Sequence, residues 1–75
     1  MQLSDVLIHI DGIPKKSEQD ELVEQLRNLA GVIAPRFSLE KDNFLFASYN
    51  SETINSRVLL EKVRENGFKA QLVGI

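Results

Sequence analysis

Val6, Ile8 and Ile10 alternate with Leu7, His9 and Asp11, a period of two that predicts a strand with one face turned to a core. Asp11-Gly12-Ile13-Pro14 then breaks the pattern, with Gly and Pro as punctuation. Beyond it the spacing changes. Leu22, Val23, Leu26, Leu29 and Ala30 recur at helical intervals, which predicts an amphipathic helix. Its expected start is the capping-box-like pair Ser17 and Asp20, and its expected stop is Gly31, a residue that takes the left-handed conformation freely. Residues 32–40 read as a second strand with Phe37 and Leu39 on one face. Pro35 has no amide donor, so this strand is expected at a sheet edge. Lys41-Asp42-Asn43 makes a polar turn, and residues 44–49 make a third strand. A second helix is expected to start between Asn50 and Ser56, all of it plausible cap chemistry. Leu59 and Val63 mark its core face, with Ile54 and Leu60 nearby, and Asn66-Gly67 stops it. Residues 68–73 form the last predicted strand.

Six elements in the order βαββαβ predict an α+β, two-layer sandwich. Right-handed crossovers put both helices on one face of a four-stranded antiparallel sheet. In this ferredoxin-like topology the first and third strands are central, and the second and fourth are edges. With 75 residues there is no chain left for a second core, so residues 1–75 are expected to form a single domain.

Composition removes several classes of function. Nine Lys and Arg against eleven Asp and Glu leave a net charge of −2. That is not the basic field that drives attachment to nucleic acid or to a membrane surface, so neither is expected as a partner. The absence of cysteine excludes disulfides, thiolate metal sites, a cysteine nucleophile and a redox pair. No segment approaches the roughly 20 apolar residues that a membrane span requires. The first residues lack the basic start of a secretory leader, so a small soluble protein of the cytoplasm is the expectation. No nucleophile stands beside a base in a recognised spacing, no phosphate-cradling loop is present, and the carboxylates scatter along helix faces. Neither catalysis nor a cofactor is expected.

The order of small motifs resembles the heavy-metal-associated (HMA) family from end to end. The alternating strand Ile8-His9-Ile10 runs into Asp11-Gly12-Ile13-Pro14-Lys15-Lys16-Ser17-Glu18, where the family has Gly-Met-Thr-Cys-x-x-Cys. Leu26-Arg27-Asn28-Leu29-Ala30-Gly31-Val32 is similar to the leucine and Gly-Val signature that closes the family's first helix. Tyr49-Asn50 resembles its aromatic-Asp/Asn ending of the third strand. Leu59, Val63 and the run Gly67-Phe68-Lys69-Ala70-Gln71-Leu72-Val73 look like its tail. The resemblance implies a copper-chaperone-like domain, yet the chemistry departs at its centre. The family's two cysteines fall on Lys15 and Glu18, its methionine on Ile13 and its threonine on Pro14. Two thiolates suit copper(I). An ammonium opposes any cation, and a carboxylate is a hard ligand that does not replace a thiolate. The family's metal ligands therefore do not carry over, soft metal ions are not expected to bind, and Lys15 with Glu18 is expected to form a loose surface ion pair.

Register then marks the other candidate surface. With Val6, Ile8 and Ile10 facing the helices, and Leu45, Ala47 and Tyr49 in the same register, Leu7, His9, Phe44 and Phe46 fall together on the open face of the sheet, joined from the edge by Val73. Leu7, Phe44 and Phe46 are expected to be substantially exposed there, an apolar patch that calls for a protein partner or a weak homodimer. A bulge near Asn43 would instead turn one phenylalanine into the core. The alternative function is single-stranded RNA binding. Residues 42–49 resemble the octamer of the RNA-recognition motif in the placement of their aromatics, and His9 sits where its first strand stacks a base. Against this, Asp42 and Asn43 replace the octamer's leading basic residue and glycine, and the negative net charge weakens the phosphate contribution.

Overall fold

The computed structural model describes residues 2–73. Its elements are β1 (Leu3–Ile10), α1 (Lys16–Arg27), β2 (Val32–Phe37), β3 (Phe44–Asn50), α2 (Ser56–Glu65) and β4 (Ala70–Leu72). The strands form one antiparallel sheet in the order β2-β3-β1-β4, so β1 and β3 are central as the topology predicted. Alternation along β1 buries Val6, Ile8 and Ile10, and their neighbours Leu45 and Ala47 on β3 are buried with them. These five meet Leu22 and Leu26 of α1 and Leu59, Leu60 and Val63 of α2 in one core. A period of two and a period of 3.6 thus deliver their apolar residues to the same layer.

The element ends differ from the sequence reading in ways that have local causes. Helix α1 begins one residue before Ser17, with Lys15 as its cap. The carboxylate of Glu18 accepts from the Lys15 backbone N–H at 2.8 Å, which satisfies a donor at the helix start as the acidic half of a capping box does. Ser17 and Asp20 take no part in it, and Asp20 pairs with Lys16 at 3.1 Å. The helix ends at Arg27 rather than at Gly31. Gly31, at φ 91°, instead turns the chain into β2. Helix α2 is capped by Asn55, whose side chain accepts from the Val58 N–H. Side-chain amides of Gln25 and Asn66 exchange two hydrogen bonds, at 3.0 and 2.9 Å, and tie α1 to the end of α2. Strand β4 starts at Ala70, two residues later than expected.

Strand β2 is where the simple alternation fails. It stops at Phe37, so Leu39 lies outside it and is 102% exposed instead of sharing a face with Phe37. Ile33 pairs with Ser48 and Arg36 with Phe46, leaving Ala34 and Pro35 together opposite Ala47. This is a bulge, with Ala34 in the left-handed region at φ 51°. One extra residue restores the phase. Val32 and Phe37 pack against the core, while Ile33 and Arg36 fall on the open face. Pro35 is buried, on an edge strand as its missing donor required. No bulge occurs near Asn43. Strand β3 pairs with β1 without interruption from Leu3↔Asn50 to His9↔Phe44.

Candidate functional site

The β1–α1 loop and the first turn of α1 carry the four residues singled out there but do not make a pocket of them. Ile13 points outward at 76% exposure, whereas Pro14 is buried. Pro14 lines a groove of about 630 Å³ with Val23, Pro35 and Phe37, and its carbonyl accepts from the Gln19 side chain at 3.1 Å. Lys15 and Glu18 are exposed. They are joined through the Lys15 backbone, which corrects the expected ion pair: the helix's own orphan amide reaches the carboxylate first. One hard oxygen donor already engaged, beside two lysines, does not fit a soft cation. Among the described residues no three His, Cys, Asp or Glu side chains gather as a metal site would require.

The open face assembles as the register implies. Leu7 pairs with Phe46 and His9 with Phe44 across β1 and β3. The Val73 N–H donates to the Leu7 carbonyl at 2.9 Å, which extends the row past the end of β4. From edge to edge one row therefore reads Arg36, Phe46, Leu7, Val73, and the next reads Phe44, His9, Gln71. The expected degree of exposure is corrected. Leu7, Phe44, Phe46 and Val73 are half-buried, not open. The chain's own polar side chains supply part of the cover. The Arg36 guanidinium lies 5.7 Å from the Phe46 ring centroid, and the Lys41 ammonium lies 5.6 Å from that of Phe44. Each such contact is worth about 0.5–1 kcal/mol at an exposed site. The His9 ring meets Phe44 edge-on with centroids 5.0 Å apart, and its Nε2 lies 3.2 Å from the Asn43 side-chain nitrogen.

Sequence reasoning missed Arg36. It sits three positions after Ile33 on β2, and unbroken alternation would have placed it on the core side. Only the bulge, signalled faintly by Pro35, brings it onto the open face. It missed Asp5 as well, whose carboxylate accepts from the Ser48 hydroxyl at 2.7 Å on the same face.

No protein-family model matches the sequence, and neither does any curated protein. Solved structures do match in fold. A copper-binding domain from HMA7, a P-type ATPase, superposes with a TM-score of 0.82 at 16% identity, covering 93% of each chain. The CsoZ metallochaperone gives 0.80 at 20% identity, over 97% of this chain and all of that one (100%). The yeast copper transporter domain Ccc2a, solved in apo and Cu(I)-loaded states, gives 0.81 at 23% identity over 92% and 93% of the two chains. The chain thus has the fold of HMA copper-binding domains and metallochaperones, over almost its whole length, and carries no cysteine. No helix among the described residues is long and apolar enough to cross a membrane.

Proposed function

We propose that residues 1–75 form one HMA-like domain with a degenerate metal site, which acts by protein contact through the open sheet face and regulates a copper or heavy-metal handling system. It is not an enzyme, and it works in the cytoplasm. The observation that carries the proposal is the pairing of an HMA-type fold with Lys15 and Glu18 where the family resemblance puts the two thiolates. Structures that share the fold include a metallochaperone and a P-type ATPase domain, so a chain that keeps the shape without the ligands is suited to meeting the same kinds of protein without carrying the cargo. The apolar row Phe46, Leu7 and Val73, half-covered and rimmed by polar groups, supports contact through the sheet.

Two measurements test this. In a titration of copper(I) against a competing chelator, the protein is expected to leave the chelator loaded. Stoichiometric binding at micromolar affinity or tighter, lost on changing Glu18, would overturn the degenerate site. Phe46→Ser is expected to keep the far-ultraviolet circular dichroism of the wild type and to lose association with its protein partner. Unfolding of that variant would instead make Phe46 part of the structural core. Amide shifts at His9, Phe44 and Phe46 on adding short single-stranded RNA would favour the RNA reading.

A further inference from the structure

We propose that the partner on the open face is a second copy of this chain, packed sheet to sheet about a two-fold axis along β3, with Asp5 of each copy paired to Arg36 of the other. The inference rests on the contact reading above and names its partner. Among the described residues, Arg36 has no carboxylate within ion-pair distance and Asp5 has no cation. Both are exposed and both belong to the open face. Arg36 is held above the sheet by its place over Phe46 and by a 2.8 Å hydrogen bond to the Ala34 carbonyl. Asp5 is held by Ser48.

Their placement is self-complementary. Strands β1 and β2 flank β3 on opposite sides. A two-fold axis running along β3, midway between two stacked faces, therefore lays β1 of one copy over β2 of the other and Phe46 over its own equivalent. Arg36 stands at the level of Phe46 and Asp5 at the level of Ser48. The offset is two positions on β3, roughly 7 Å, within the reach of an arginine side chain. The pairing occurs twice, once on each side of the axis, and Leu7 meets the aliphatic stem of Arg36 beside it. A face four strands wide and seven residues long on β3 spans roughly 19 by 23 Å. That is below the ~800 Å² per partner of a standard interface, so the dimer is expected to be weak.

The test uses Asp5→Lys and Arg36→Glu, followed by sedimentation equilibrium at low salt, with circular dichroism as the check on folding. Wild type is expected to shift from monomer to dimer as concentration rises, and less so at high salt. Each reversal alone faces like charges across the axis and is expected to weaken self-association by about tenfold or more. An equimolar mixture of the two variants restores both opposite-charge pairs and is expected to dimerise like wild type. Should a reversed variant fail to fold, Asp5→Asn and Arg36→Gln are each expected to weaken the dimer, and their equimolar mixture to recover part of it, because the mixed dimer keeps one of the two Asp5–Arg36 pairs. Variants that each dimerise as well as wild type, or a mixture that stays monomeric, would overturn this pairing and leave contact through the face intact. A wild type that is monomeric at millimolar concentration would overturn the second copy as occupant. Association that persists in Phe46→Ser would overturn the contact reading itself.

Discussion

Ile8→Ala is expected to remove a large part of the protein's stability, while Leu7→Ala, one residue away, is expected to be tolerated. Ile8 is 0% exposed at the middle of a central strand, pairing with Leu45 on one side and Leu72 on the other. It sits in the core cluster with Leu22, Leu26, Leu59 and Val63, so truncation opens a cavity that close-packed neighbours cannot collapse into. Such truncations cost about 2–5 kcal/mol. At 0.05–0.15 kcal/mol per residue, a chain of this length has a total stability of roughly 4–11 kcal/mol, so the loss takes a large part of it. Leu7 is only half-buried on the opposite face, and its loss is expected to cost about 1 kcal/mol or less. Urea unfolding of the two variants, compared at the midpoint, measures the contrast. Equal destabilisation would mean that the open face is as closed as the core.

Gly31→Ala is expected to be the most damaging change outside the core, at about 2–4 kcal/mol. Gly31 has φ 91°, a conformation that an L side chain rarely adopts. A Cβ there would also lie 3.1 Å from Ile54 Cγ2 and from Thr53 Cβ. That segment cannot easily give way. The Gly31 carbonyl accepts from the Asn50 N–H at 2.8 Å, and the Asn50 carbonyl in turn receives the Thr53 and Ile54 amides, each at 3.0 Å. The start of β2, the end of β3 and the approach to α2 are thereby locked together. Gly67→Ala supplies the internal control. Gly67 has nearly the same backbone, φ 89°, but nothing within 4 Å of the added carbon. Its cost is expected to be the conformational part alone, about 1–2 kcal/mol. The difference in thermal unfolding between the two variants isolates the contact with Thr53 and Ile54.

Most of the fold was legible because its core positions obey clean periods. Val6, Ile8 and Ile10 in twos, and Leu22, Leu26, Leu59 and Val63 at helical spacing, are buried as read. Element ends were less legible because caps are chosen by competition between neighbours. Ser17 has the better capping side chain, yet Lys15 is the cap and the Glu18 carboxylate accepts from its backbone N–H. The open face was legible in register, since Leu7, His9, Phe44, Phe46 and Val73 do share it. It was not legible in exposure, because that depends on where the long side chains of Arg36 and Lys41 come to rest. The position of Arg36 was hidden by the bulge, whose only local signal is a proline. Ala34 in a left-handed conformation has no signature in sequence at all.

That bulge also bears on how one copy of the chain can add to another at a sheet edge. An exposed, regular edge strand is a template: another chain can hydrogen-bond to it, present a fresh edge of its own, and extend the stack into a fibre. Here neither edge offers a long template. Strand β4 has three residues, and β2 is interrupted at its middle by Ala34 and Pro35. Strand addition therefore meets a short strand on one side and a broken hydrogen-bond register on the other, while a two-fold contact across a face closes on itself and stops. The irregularity at Ala34 is thus expected to disfavour amyloid-type growth, through the backbone of the native state rather than a charged side chain.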